Sequence, residues 1–180
     1  MQPFVKWAGG KRQLIPELTK IMPSNFNQYL EPFIGGGALL LELEHKNSVI
    51  SDNNHVLIGT YNDIKHNLDK LLPLLDKLQN EHNSCGNKEK AKEFYYQQRD
   101  NFNQIIFDDN ESLNRSALFL YLNKACFNGL YRVNSKGLFN VPFNQKTTIN
   151  IYERDNLVQI SQFLQTVDIC LLYTSDAADE

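Results

Sequence analysis

Apolar positions in the first fifty residues follow two different periods. In residues 13–22, Leu14, Ile15, Leu18, Ile21 and Met22 fall at helical spacing, and Pro16 is tolerable in a first turn. Pro23-Ser24-Asn25 ends that helix. Residues 28–33 (QYLEPF) read as a short buried strand, Gly35-Gly36-Gly37 as a turn, and ALLLELE as the start of a helix. Residues 47–52 (NSVISD) give a second strand centred on Val49 and Ile50. Strand, glycine turn, helix and strand make one βαβ unit, which predicts a parallel sheet of the α/β class.

Further along, Leu68, Leu71, Leu72, Leu75 and Leu78 form an amphipathic stripe within residues 56–80, interrupted at Pro73. Residues 83–87 (NSCGN) read as a loop. Residues 90–106 and 112–127 read as helices, with Asn128-Gly129 as a stop signal. Residues 130–141 (LYRVNSKGLFNV) predict a β-hairpin around a Ser/Asn/Gly turn. Residues 166–173 (TVDICLLY) read as a strand, whereas 174–180 (TSDAADE) are patternless and read as a truncation point or an engineering scar.

A chain of 180 residues, 42% hydrophobic and 22% charged, suits one domain with a real core and a small subdomain. It has no apolar run of membrane-span length and no N-terminal signal region, so a cytoplasmic, monomeric protein is expected. Cys85, Cys126 and Cys170 are odd in number and far apart, which argues against disulfides and structural zinc; no metal is expected. The histidines, His45, His55, His66 and His82, are read as surface residues.

Charge is uneven. The net value is −3, yet residues 112–146 contain no Asp or Glu, where about four would fall at the chain's density of 21 in 180. The same window carries Arg115, Lys124, Arg132, Lys136 and Lys146. A globally acidic protein can bind DNA through such a local basic face. The window also holds Phe119, Tyr121, Phe127, Tyr131, Phe139 and Phe143, and the amides Asn114, Asn123, Asn128, Asn134, Asn140 and Asn144. Amides read base edges and aromatics stack on bases or wedge between them; Phe119 and Phe139 are expected in the core instead.

Two glycine motifs are candidate ligand sites. In FVKWAGGKRQL (4–14), Gly10-Lys11 lacks the P-loop pattern, because Val5 and Arg12 stand where glycine and Ser/Thr are needed. In Gly35-Gly36-Gly37, the third glycine of a dinucleotide fingerprint is replaced by Leu40. Asp52 still ends the next strand, where a ribose would be held. Glycine approach and ribose clamp without the pyrophosphate detail suit a phosphate-free nucleoside such as S-adenosyl-L-methionine. Trp7 could offer its sulfonium an aromatic face, and Lys11 could take its carboxylate. The alternative is a glycine turn that only tightens a βα connection, with Trp7 in the core.

FVKWAGGKRQL, YLEPFIGGGALLLEL (29–43), VISDNN (49–54) and NGLYRVNSKGLFNVPF (128–143), in this order, resemble the Dam-type DNA N6-adenine methyltransferases, including restriction–modification members. The resemblance runs from residue 3 to about 168. It implies a partial Rossmann-like S-adenosylmethionine-dependent methyltransferase sheet with an inserted, mainly helical DNA-recognition subdomain carrying a β-hairpin. Residues 1–80 would hold the cofactor, 81–148 would read DNA, and 149–173 would return to the catalytic domain. Trp7, Lys11, Phe33, Gly35 and Asp52 would contact S-adenosylmethionine. Lys124, Asn128, Leu130, Tyr131, Arg132, Asn134, Lys136 and Asn140 would meet double-stranded DNA at GATC-like sites. Among these, Arg132 is expected to contact a guanine, and Lys124 and Lys136 to contact phosphates. Asn144 and Gln145 depart from the family's pattern at a DNA contact.

The family's D-P-P-Y loop accepts the hydrogens of the adenine amine and stacks on the flipped base. No such tetrapeptide occurs here; Asn140-Val141-Pro142-Phe143 lacks its first proline and belongs to the hairpin match. No catalytic residue is therefore assigned, and the chain is expected to be an inactive N-terminal fragment of an adenine-specific DNA methyltransferase. A non-catalytic DNA-binding module and a nucleotide-binding α/β domain of another kind are the competing readings.

Overall fold

The computed structural model describes residues 1–172. Three parallel strands, β1 (Tyr29–Glu31), β2 (Ser48–Asp52) and β3 (Val167–Leu171), lie in that order. Leu30 pairs with Val49, and Ile50 with Ile169, so β2 is central. Ser48, Ile50 and Asp52 alternate into the interior along β2, the period of a pleated strand. A 3₁₀ turn (Lys11–Leu14) and α1 (Ile15–Ile21, with Pro16 in its first turn) precede the sheet, and α2 (Ala38–Leu43) joins β1 to β2. The βαβ unit and its parallel pairing are as the pattern predicts. The expected scar at 174–180 lies outside the described residues.

Between β2 and β3 run α3 (His55–His66), α4 (Leu68–Asn83), α5 (Lys88–Ile105), α6 (Ser112–Ala125) and α7 (Arg154–Leu164). The helical run over 56–80 breaks at Asn67, between α3 and α4, and not at Pro73, which lies inside α4 with the whole leucine stripe. A proline in a helix interior costs about 3 kcal/mol. Burial of Leu71, Leu72, Leu75 and Leu78 on the same helix, at about 1.5–3 kcal/mol each, outweighs it.

Ten of the 14 residues of α6 are buried, and the helix packs against α3, α4 and α5. An all-round buried helix belongs to a core. This corrects the reading of the acid-free window as one continuous basic surface: its first part, residues 112–125, is core. Arg115 lies inside and donates to the carbonyls of Ile106 and Asp108. Phe119, Tyr121, Phe139 and Phe143 are core residues, leaving Phe127 as the exposed aromatic of the six.

The predicted hairpin is reduced to a hairpin-shaped loop. One bridge, Val133 with Phe139, closes it, and Leu138 and Asn134 share a backbone bond across the turn. A second bridge, Cys126 with Phe143, and the bond from Phe127 N–H to the Pro142 carbonyl seat the NVPF segment in the core.

His82 corrects the surface reading of the histidines, because it is fully buried. It continues the stripe of Leu71, Leu75 and Leu78 by one turn of α4. Its Nε2–H donates to the Lys146 carbonyl (3.0 Å), and its Nδ1 accepts from the Tyr121 hydroxyl (2.9 Å). Burial holds the imidazole below its usual pKa, with the Lys146 carbonyl opposing. Below about pH 6.5 the unfolded chain therefore binds the additional proton. Stability from this group is complete above that pH and is lost as pH falls toward the folded-state value. Urea unfolding should show a midpoint that drops from pH 7 to pH 5, and a His82→Gln chain should be less stable but flatter across that window.

Candidate cofactor pocket and nucleic-acid interface

A cavity of about 920 Å³ opens at the carboxyl ends of β1 and β2, where open parallel sheets bind ligands. Trp7, Lys11, Phe33, Gly35 and Asp52, the expected cofactor residues, all line it. Each is placed by a local constraint. Gly35 and Gly37 take left-handed backbone, with φ of 52° and 70°. A Cβ on Gly35 would fall 2.8 Å from Trp7 Cδ1, and one on Gly37 would strike the Tyr61 hydroxyl. The turn therefore requires glycine for conformation and for space.

Asp52 is buried, and both of its oxygens accept backbone bonds, from Gly35 N–H (3.0 Å) and Asn54 N–H (3.1 Å). One carboxylate thus ties the glycine turn after β1 to the loop after β2. Each oxygen keeps a second lone pair for a ligand hydroxyl. Tyr61 adds a bond from its hydroxyl to the Gly35 carbonyl (3.1 Å).

Lys11 Nζ donates to Glu31 Oε1 (2.7 Å) and to the Phe33 carbonyl (2.9 Å). An ammonium has three donors, so one remains. Glu31 is itself buried and also accepts from the Tyr29 hydroxyl (2.8 Å). Sequence reading missed Glu31; its signal was an acid at an inward position of a predicted strand, opposite a lysine motif. Phe33 is largely exposed at the cavity rim.

Lys124, expected on a phosphate, instead lines the same cavity. Burial lowers its pKa, and nearby Lys6 lowers it further. Tyr131, expected on DNA, points inward and stacks on Trp7, with ring centroids 5.4 Å apart and planes 20° apart. Asn134 and Asn140 are occupied within the loop. Asn134 Oδ1 accepts from Lys136 N–H and Leu138 N–H, and Asn140 Oδ1 accepts from Arg132 Nε–H (2.9 Å). Asn123 and Asn144 likewise serve backbone, and Asn114 bonds Glu111. Asn128, Leu130, Arg132 and Lys136 remain exposed on one loop, with Asn128 in left-handed backbone at φ 56°.

A small parallel sheet with a glycine turn after its first strand, an acid ending the second and a cavity at the strand ends is an α/β architecture of the methyltransferase kind. The model of the D12 class N6 adenine-specific DNA methyltransferases matches residues 7–180, and the chain belongs to that family. It is 43% identical to the Type II methyltransferase M.MjaIII of Methanocaldococcus jannaschii, over 94% of this chain and 61% of that protein. It is 38% identical to the Type II methyltransferase M1.LlaDCHI of Lactococcus lactis subsp. cremoris, over 96% and 58%. It is 35% identical to the DNA adenine methylase of Escherichia coli K12, over 79% and 47%. The chain thus spans about half to three-fifths of the length of these curated relatives.

Gly35→Ala should destabilise the fold by about 1–3 kcal/mol through backbone strain, and by more through the Trp7 contact. Gly9, with φ of 72° and nothing within 4 Å of a Cβ, isolates the strain alone. Urea unfolding of Gly35→Ala and Gly9→Ala should show the larger loss at Gly35.

Proposed function

We propose that the cavity binds S-adenosyl-L-methionine and that the chain is the cofactor-binding and DNA-reading part of an adenine-specific DNA methyltransferase. The observation that carries this reading is the convergence of Trp7, Lys11, Gly35 and Asp52 on one cavity at the strand ends. Asp52 would accept the ribose hydroxyls on its free lone pairs. The third donor of Lys11 would take the ligand carboxylate. Trp7 would offer an electron-rich face to the sulfonium, an attraction worth about 1–2 kcal/mol when desolvated. The glycine turn lets the ligand approach backbone closely.

Residues 81–148 would form the DNA-recognition unit, although α6 within it is core. The loop from Asn128 to Lys136 would meet duplex DNA at a GATC-like site. Arg132 would reach a guanine edge from its anchor on Asn140, and Lys136 would touch a phosphate. Methyl transfer to adenine N6 would need the hydrogen-accepting D-P-P-Y loop, which residues 1–180 do not contain. These residues alone would therefore bind without transferring. A soluble, cytoplasmic monomer is part of this reading; among the described residues no helix is long and apolar enough to cross a membrane.

Calorimetry with S-adenosylmethionine and S-adenosylhomocysteine tests the proposal. Both should bind, and Trp7→Ala should weaken binding of the sulfonium donor about 5- to 30-fold, with a smaller effect on the neutral product. Absence of heat with both ligands on folded protein would overturn it. Tritium transfer to duplex DNA should be absent for this chain and should appear in a longer chain carrying a D-P-P-Y segment.

A further inference from the structure

The stack between Trp7 and Tyr131 joins two regions with different tasks. Trp7 belongs to the cavity wall, against the space beside Gly35. Tyr131 belongs to the exposed loop, between Leu130 and Arg132, both of which face outward. Tyr131 is half-buried, and its ring also packs edge-on against Phe119 (5.5 Å) and tilted against Phe139 (5.7 Å). One loop side chain therefore touches the aromatic wall of the cavity.

We propose that Tyr131 is a positioning residue that couples the DNA-facing loop to the cofactor cavity through its stack on Trp7. The inference rests on the reading of the cavity as a methyl-donor site. If the loop shifts when Arg132 and Lys136 engage a duplex, Tyr131 moves with them, being fixed in the same short backbone segment. Trp7 must then follow or lose the stack. Conversely, a ligand that holds the indole in place holds the loop in one arrangement. A coupling of this kind is reciprocal, so cofactor and DNA change each other's affinity by the same factor. An aromatic pair of this type supplies enough for a coupling of about 2- to 12-fold.

Trp7 is the only tryptophan of the chain, so its emission reports from the cavity wall. The experiment titrates S-adenosylhomocysteine into the protein with and without a GATC-containing duplex, following Trp7 emission and, separately, calorimetric heat. The wild-type chain should show a change in emission with duplex alone and a shift in product affinity of about 2- to 12-fold when duplex is present. Tyr131→Phe should keep both effects. Tyr131→Leu, which retains buried apolar volume without a ring, should bind both ligands but lose the shift and the duplex-dependent emission change. Circular dichroism establishes that each variant is folded, and Tyr131→Met replaces Tyr131→Leu if that chain is not. An unchanged affinity shift in the ring-free variant would overturn the inference while leaving the cofactor reading intact. Failure of wild-type protein to bind the product at all would overturn both.

Discussion

The buried amide of Asn123 is the joint on which the site depends. Its Oδ1 accepts from Lys6 N–H (2.8 Å), and its Nδ2 donates to the Lys6 carbonyl (2.9 Å) and to the Gly129 carbonyl (3.0 Å). The side chain thus pairs with one peptide unit as a neighbouring strand would, while also gripping the start of the exposed loop. Residue 6 immediately precedes Trp7, and residue 129 lies two positions before Tyr131. One side chain on the central helix therefore sets the spacing of the two rings that stack. With every polar atom inside, an unpaired group there would cost about 1–3 kcal/mol, and this favours a single arrangement.

The cavity is organised in advance by groups that have no need of a ligand to hold them. Asp52 and Glu31 are buried carboxylates, and each is satisfied by two partners from the chain itself. Bonds to a charged group contribute about 1.5–3 kcal/mol, above the usual 0.5–1.5 kcal/mol. The glycine turn is thereby held in left-handed backbone that it would not hold alone. What remains free, a lone pair on each Asp52 oxygen and one donor on Lys11, is a small set with fixed direction. Such a set favours a ligand with donors placed to meet Asp52 and an acceptor placed to meet Lys11.

The loop from residue 128 to 140 uses most of its polar chemistry on itself. Asn134 builds the turn, and Asn140 steadies Arg132. A guanidinium held at its Nε still presents its terminal nitrogens in a fixed fork, the geometry that reads a guanine edge. A short loop without a regular ladder gains rigidity in this way, and fewer rotamers are left to order on contact. Two of its own rings, Tyr131 and Phe139, pack edge-on against Phe119 and Phe102 beneath it.

The local pattern determined the βαβ unit and the parallel strands and singled out Trp7, Lys11, the glycine triplet and Asp52 as ligand candidates, whereas Phe33 entered through the family resemblance. Those features are written in short spans: a period-two run, a glycine triplet, an acid at a strand end. The break at Asn67, the burial of His82 and the inward turn of Tyr131 were decided by tertiary packing. Pro73 looked like a breaker because its cost is local, whereas the leucines that outweigh it act only through packing against other helices, chiefly α6. The acid-free window looked like a basic surface because composition does not separate a surface that attracts phosphate from a core that excludes carboxylate. Only the packing of α6 against three other helices separated them, and tertiary structure set Lys124 on the cavity and Tyr131 against Trp7.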